Sequence, residues 1–514
     1  MDKGMGRGDG NVISFIYVAS CVFLPLLSLF ISYPPSGGVS IRLLAMNLLQ
    51  ASISAFVATM GGLGISYVLA RRDMPGILRS MVHSVSKVSF VFPGISMAIG
   101  FLILFGRNGI LNSLLGMFGL RLDILYTFWA VVLGHAFYNI PVVVYITGTL
   151  WERMDGEILE AAQIDGASGI EIFRFVELPL ILPSLVSSYL MAFIYSFTSF
   201  AVVMTIGGYR FRTIEVEIYS RVSLLDFRGA AALTLVQMSV VSSAAILASL
   251  LRPSEFPSGT PRREKMRYSD FITLIFPLSL VLVPMLSATI SGLLEKDAFE
   301  LLMRRGWGFL GVEPRKVFLD TFVLAMISST VVTSVSLLTS RASSMGSKLS
   351  SVLMTIPTAV SPAVLAFSYL ALSLNAGVDV HPIVALSILH SVISAPMVHR
   401  ILESGWRGLP REIEEAALVD GANAVQRFLH VQLPLMLPSI VRSFTLGVAI
   451  SMGELAGVLV ISGGDFVTLS SAVYRLTSSR HLPEAMALNS IFSLLVLAIF
   501  LSGEMMGNSE RSHG

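Results

Sequence analysis

Two stretches of the chain repeat one another at a constant spacing. Residues 157–183 read EILEAAQIDGASGIEIFRFVELPLILP, and residues 412–438 read EIEEAALVDGANAVQRFLHVQLPLMLP. Fifteen of the 27 positions are identical without a gap, at an offset of 255 residues. Chance similarity between apolar helices would not keep Glu, Asp, Gly and Pro in register, so the chain contains an internal duplication.

The duplication extends beyond these stretches and divides the chain into two halves. At the same offset His135 matches His390, and Trp151 matches Trp406. Between the halves, residues 252–270 read RPSEFPSGTPRREKMRYSD, with three prolines and five basic residues. Proline, glycine and charge end apolar helices. The sequence therefore predicts a first half over 1–252, a cytoplasmic linker over 253–269 and a second half over 270–514.

Composition places both halves in a membrane. The 514 residues are 54% hydrophobic and 13% charged, whereas about 25% of residues are charged in soluble domains. A helix needs about 20 apolar residues to cross the hydrocarbon core, and in lipid every backbone polar group must be paired within the segment. We expect an all-α membrane protein in the lipid bilayer with about twelve spans: 11–32, 43–70, 86–105, 124–150, 180–206, 229–251, 270–291, 319–340, 350–374, 382–401, 435–461 and 485–503.

Six spans in each half make the two halves parallel. An even number returns the chain to its starting side, so the halves should be related by a pseudo-two-fold axis along the membrane normal. With both termini in the cytoplasm, the inner segments hold 20 basic residues and the outer segments 14. This distribution favours a cell-membrane protein with cytoplasmic termini. The net charge of +2 gives no reason to expect a nucleic-acid partner.

The repeated loop has the pattern of a compact helical knob. Residues 157–164 have helical character, Asp165-Gly166 interrupts them, and a second amphipathic stretch runs into Leu178-Pro179. Glycine suits this turn because it tolerates a left-handed backbone. Small alanines permit close approach to another surface, and Glu160 offers a carboxylate to a basic partner. An amphipathic hairpin lying on the membrane is the alternative, which the presence of two matching copies disfavours.

These motifs resemble the EAA loop of binding-protein-dependent ABC importer permeases. The wider resemblance, to fused two-half permeases of the thiamine and ferric-iron group, covers nearly the whole chain and implies the type I ABC importer permease fold. It also implies two ATP-binding subunits, an extracytoplasmic solute-binding protein, and thiamine or iron(III) as the solute. By this resemblance the ATPase-coupling residues are Glu160, Ala161, Ala162, Asp165, Gly166, Glu415, Ala416, Ala417, Asp420 and Gly421.

The chain lacks the sequence needed to hydrolyse ATP itself. The phosphate-binding pattern G-x-x-x-x-G-K-[ST] is absent from it, and so is any Cys/His metal cluster. We therefore expect no catalytic residue, no metal and no cofactor in this chain. Energy must come from a partner or from an ion gradient, so the alternative function is an ion-coupled secondary transporter with parallel repeats. That class would not account for the repeated EAA loop.

One carboxylate falls inside an expected span. Glu454 lies in the segment 435–461, and its gap-free match in the first half is Ser199. Intramembrane carboxylates are costly and often functional. Glu454 and Ser199 are therefore candidate residues of the substrate path. A carboxylate bonded inside the bundle or near the outer water is the alternative for Glu454.

Two further features are symmetric or face outward. His135 and His390 occupy matching positions in spans, and their repetition favours a helix-packing role over metal handling.

The segment 208–226 is expected to be an outer loop, where a binding protein could dock. Its candidate docking residues are Arg210, Arg212, Glu215 and Glu217.

Overall fold

The computed structural model shows a helical bundle with one short strand pair. It describes residues 2–89, 91–208, 211–251, 259–260, 262–462, 464 and 466–509. Arg210 and most of the expected linker, residues 253–258 and 261, therefore lie outside the described residues. Linker residues 259–260 and 262–267 are described.

The first half contains nine helices that bear on the argument. They are α1 (Gly8–Ser32), α2 (Ile41–Arg71), α3 (Gly76–Ser89), α4 (Gly94–Gly116), α5 (Phe128–Trp151), α6 (Gly156–Ile164), α7 (Gly169–Phe197), α8 (Ile214–Ser223) and α9 (Phe227–Leu250).

The second half follows the same order. Its helices are α10 (Tyr268–Leu294), α11 (Pro314–Ser344), α12 (Lys348–Ala359), α13 (Pro362–Ala376), α14 (Pro382–Arg407), α15 (Arg411–Val419), α16 (Ala424–Gly453), α17 (Ala456–Ile461), α18 (Leu469–Ser478) and α19 (Leu482–Met506).

The expected number of spans is confirmed, with four changes of shape. The expected span 86–105 is interrupted by non-helical residues at 91–93, and the expected span 180–206 is interrupted at 198–200. In the described chain eleven helices are long and apolar enough to cross a membrane, and the pair α12–α13 makes a twelfth if it is counted as one span. That pair bends by 91°, because Pro362 has no N–H to continue the preceding helix. The eleventh expected span, 435–461, is also not continuous. It breaks after Gly453 and resumes as α17.

The first span of each half packs against the other half. Helix α1 contacts α11 and α13, and the Tyr17 hydroxyl lies 2.9 Å from the Ser391 hydroxyl of α14. Helix α10 in turn packs along α4, where any side chain at Gly100 would collide with the Pro284 carbonyl. Small residues at such crossings let backbones approach closely in a membrane. The two halves are thus interlocked rather than laid side by side.

A two-stranded parallel ladder ties the linker to the first half. Strand β1 (Arg72–Asp73) directly follows α2 and pairs with β2 (Glu264–Lys265). The Arg72 guanidinium, 4% exposed, reaches Glu264 at 2.6 Å and Asp270 at 2.9 Å. Its buried charge is therefore paired on both sides, as a charge removed from water requires.

Candidate coupling loops and half interface

The first EAA loop is a short helix, a glycine turn and a second helix, as the sequence predicts. Asp155 caps α6 by accepting from the Glu157 N–H at 3.2 Å. The helix ends at Ile164, and Gly166 then turns the chain with a φ of +88°, a conformation that glycine adopts without a Cβ penalty. Ser168 then starts α7 with a capping box, in which its N–H donates to Glu171 at 2.7 Å.

The second EAA loop repeats this geometry with different side chains. Gly421 turns the chain with a φ of +79°, and Ala422 donates to the Ala417 carbonyl at 3.0 Å, as Ala167 does to Ala162. Asn423 and Gln426 form the capping box, with both bonds at 2.9 Å. The two loops therefore share one backbone shape.

The ten predicted coupling residues lie on the surface in the same pattern in both loops. Glu160, Ala161, Asp165 and Gly166 are exposed and Ala162 is half-buried, and their matches follow the same order: Glu415, Ala416, Asp420 and Gly421 exposed, Ala417 half-buried. Beside them two matching apolar side chains face outward, Ile164 at 85% and Val419 at 87% exposure. Paired apolar side chains next to a carboxylate are typical of surfaces that bind another protein.

Each knob is joined to its span by a wide helical turn. Residues Phe173–Glu177 and Phe428–Gln432 are π-helical and match at the 255-residue offset. Each turn precedes a Leu-Pro pair, and a proline ring crowds the carbonyl four residues before it, which a wider turn relieves. The first knob is anchored through Glu177, which forms a buried ion pair with Arg71. Each knob is therefore continuous with its span, and the first knob is also tied to α2.

The structure places Glu454 at a helix break. Helix α16 ends at Gly453. The Glu454 carboxylate, which is 7% exposed, caps the first turn of the following helix, α17. It accepts from the Gly457 N–H at 3.0 Å and lies 3.3 Å from His390 Nε2. A helix N-terminus favours an anion, so this site stabilises the carboxylate inside the bundle.

Ser199 occupies the same break in the first half. Helix α7 ends at Phe197, and Ser199 lies half-buried in the non-helical turn that follows. The symmetric histidines are both 1% exposed but have different partners. His135 Nδ1 lies 2.5 Å from the Gln50 amide, whereas His390 Nδ1 lies 2.7 Å from the Ser451 hydroxyl.

Glu215 does not project outward as the sequence suggested. Its side chain is fully buried, and its carboxylate accepts from Gln237 of its own half and from the Ala363 N–H of the other half, the latter at 3.2 Å. Glu215 therefore cannot contact a binding protein in this conformation. Helix α8 of the first half also packs against α17 of the second half. We call this contact the half interface; Glu215 lies in α8, and Glu454 directly precedes α17.

Two of the other candidate docking residues keep some exposure. Arg212 and Glu217 form an ion pair at 3.5 Å, with side chains 47% and 24% exposed. Within the described residues, no group of three or more His, Cys, Asp or Glu side chains is placed to hold a metal ion.

A twofold-repeated helical bundle with two equivalent exposed knobs defines a membrane permease made of two fused halves. The chain belongs to the family of binding-protein-dependent transport system inner membrane components, whose model matches residues 62–255 and 325–506. It is accordingly a multi-pass inner membrane permease of an ABC importer, and in this family ATP hydrolysis belongs to a separate subunit. This membership excludes the secondary transporter that the sequence left as an alternative.

Individual relatives are distant, and two thiamine permeases match about nine-tenths of the chain. The thiamine transport system permease protein ThiP of Escherichia coli (strain K12) is 23% identical over 463 residues, 88% of this chain and 86% of that protein. ThiP of Brucella abortus (strain 2308) is 23% identical over 490 residues, 91% and 88% of the two chains. The sulfate transport system permease protein CysT of Salmonella typhimurium is 27% identical over 205 residues, 39% of this chain and 71% of that protein.

Sequence reasoning missed the role of Glu215 at the half interface. One signal was available in the repeat. At the 255-residue offset Glu215 matches Ser470 and Glu454 matches Ser199. Each half therefore has one carboxylate where the other half has a serine, which hydrophobicity alone does not show.

Proposed function

We propose that this permease imports thiamine and is driven by two ATPase subunits docked on the two EAA loops. In this proposal the termini and both loops lie in the cytoplasm, and an extracytoplasmic binding protein delivers the solute to the opposite face. Residues 1–252 and 270–514 form the two functional halves. The observation that carries the proposal is the pair of exposed knobs with the same backbone shape, each continuous with a membrane helix.

The geometry of the knobs supports a role in coupling. The exposed Glu160 and Glu415 lie on matching helices, so each of two motor subunits would meet a helix of the same backbone shape with a carboxylate at the same position. Each knob continues through a π-helical turn into α7 or α16. Closure of a motor dimer would therefore rotate both spans together, and the halves would alternate between two states according to the affinity of the motors for each.

Two observations support thiamine as the solute. Two relatives that match along both halves, the ThiP proteins of Escherichia coli and Brucella abortus, are thiamine permeases, whereas the sulfate permease matches 39% of this chain. Thiamine carries a fixed positive charge, and the carboxylate of Glu454 lies at the half interface. Glu454 and Ser199 remain the proposed residues of the solute path. No observation on the structure favours iron(III), the other solute expected from the sequence.

Charge reversal on the knobs tests the coupling. We expect Glu160→Lys combined with Glu415→Lys to abolish copurification of the ATPase and to abolish solute uptake, because each substitution sets a cation against the partner's basic group. Glu157→Lys combined with Glu412→Lys is the matched control, since it makes the same charge change in the first turn of the same helices. Uptake by the Glu160/Glu415 variant at the control's rate would refute the proposal.

Radiolabelled thiamine tests the solute. Membrane vesicles that hold the complete importer should take up thiamine with ATP and with the binding protein, and unlabelled thiamine should compete whereas sulfate should not. ATP-dependent uptake of sulfate without uptake of thiamine would overturn the assignment of the solute and leave the coupling intact.

A further inference from the structure

The linker lies directly on the first EAA loop. The Thr260 carbonyl accepts from the Gly156 N–H at 3.1 Å, and the Gly259 N–H donates to the Arg153 carbonyl at 3.4 Å. Two residues later, Arg262 Nη1 lies 3.4 Å from the Glu160 carboxylate. The linker thus contacts both the start of α6 and the glutamate predicted to meet the ATPase.

This contact depends on a glycine that the second half lacks. A Cβ at Gly156 would lie 2.9 Å from the Arg262 Cβ and 3.0 Å from the Thr260 carbonyl oxygen, closer than carbon and oxygen atoms normally approach. At the 255-residue offset the matching residue is Arg411. The first half is therefore built to accept the linker, whereas the second half has a large side chain at the corresponding position.

The linker is also held firmly from its other end. Strand β2 begins two residues after Arg262 and pairs with β1, and buried Arg72 joins Glu264 to Asp270. A cleft of about 780 Å³ separates this ladder from the loop, with Leu159 and Gln163 of α6 on one wall and Arg267 on the other. The linker residues 262–267 therefore form a fixed wall beside α6.

We infer that the linker is part of the first ATPase-docking surface, so that the two docking surfaces differ. This inference rests on the proposed function. At the first half the ATPase meets Glu160 already paired with Arg262 and a helix held by Thr260. At the second half it meets Glu415, which is exposed, on a helix with no linker segment beside it among the described residues. Releasing the linker should weaken docking at the first half alone.

Single cysteines at matching positions report the two surfaces separately. With Cys21→Ser removing the native thiol, Ile164→Cys and Val419→Cys place one thiol at the same point of each knob, and both positions are more than four-fifths exposed. A maleimide–succinimide reagent then links each thiol to lysines of the ATPase that copurifies with the permease. In the otherwise unchanged chain we expect crosslinking from both positions.

The test variant is Arg262→Glu, which sets two carboxylates against each other. We expect crosslinking from Ile164→Cys to slow about two- to fivefold, a change that corresponds to the free energy an exposed ion pair contributes. Crosslinking from Val419→Cys should stay unchanged. Arg263→Glu is the control, because it makes the same charge change at the neighbouring exposed residue. Gly156→Arg, which gives the first half the residue of the second, should produce the same one-sided loss.

The outcomes separate this inference from the function on which it rests. Equal rates at both positions in Arg262→Glu and Gly156→Arg would overturn the role of the linker while leaving ATPase docking intact. Faster crosslinking from Ile164→Cys would overturn it as well, because the linker would then shield the knob. Absence of crosslinking from both positions in the otherwise unchanged chain would refute the proposed function itself.

Discussion

The carboxylate of Glu215 should hold the two halves together. It is fully buried and accepts from Gln237 of the first half and from the Ala363 N–H of the second half. Truncation by Glu215→Ala would leave two buried donors without an acceptor, at about 1–3 kcal/mol each. We therefore expect a loss of roughly 2–6 kcal/mol in the free energy of unfolding.

Reversible denaturation of the purified permease in detergent measures this loss. Glu215→Gln keeps the size of the side chain and one acceptor oxygen, so it should lose roughly 1–3 kcal/mol, mainly the charge-assisted part of the bonds. Ser470→Ala is the matched control at the equivalent position of the second half. Its hydroxyl donates one bond to the Glu454 carbonyl, at 2.8 Å, and its removal should cost about 0.5–1.5 kcal/mol.

The order of the three variants in free energy of unfolding tests whether Glu215 joins the halves. If Glu215→Ala unfolds within about 0.5 kcal/mol of the unsubstituted protein, the range of ordinary surface substitutions, then its carboxylate does not join the halves. An equal loss in Glu215→Ala and Ser470→Ala would likewise contradict a special role for the charge.

Three further predictions concern the knobs, the contact of α4 with α10, and the helix break at Glu454. Gly166→Ala should lower ATP-driven uptake and cost about 1–2 kcal/mol of stability, since an L-residue is strained at a left-handed φ. Gly169→Ala is the control, because Gly169 has a normal φ and open space around it, and it should leave uptake unchanged. Gly100→Val should prevent folding, as monitored by size-exclusion chromatography, whereas Gly116→Val, with nothing within 4 Å, should elute normally. Glu454→Gln should cost about 1–2 kcal/mol in denaturation through the lost charge at the helix N-terminus; if it lowers uptake with no loss of stability, its main role is contact with the solute.

Local pattern was enough to predict the two EAA loops. A helix, a left-handed glycine and a capping residue are each decided within a few neighbours along the chain, and Gly166 and Gly421 adopt the positive φ that their motif requires. The number of spans was predictable for a similar reason, because the cost of unpaired backbone in lipid depends on the length of an apolar run and not on its neighbours.

Breaks inside the spans were harder to predict. The sequence is hydrophobic on both sides of Glu454 and on both sides of the bend before Pro362. Spans assigned from composition therefore do not show either break. The helices end there because a carboxylate caps the next segment and because a proline cannot donate its backbone bond. Each effect comes from a single residue, so it disappears when hydrophobicity is averaged over a window of twenty residues.

Sequence by itself determined that this chain is a membrane permease of two parallel halves, each with an EAA loop, because the repeat and the apolar periodicity are properties of neighbouring residues. Only the tertiary structure decided that α1 and α10 exchange between the halves, that Glu215 is buried between them, and that the described linker residues lie on the first EAA loop. Those features join residues that are between 106 positions apart, as in Gly156 and Arg262, and 374 positions apart, as in Tyr17 and Ser391. Their stability comes from close contacts, such as Gly100 against Pro284 and Gly156 against Arg262, whose partners no local pattern identifies.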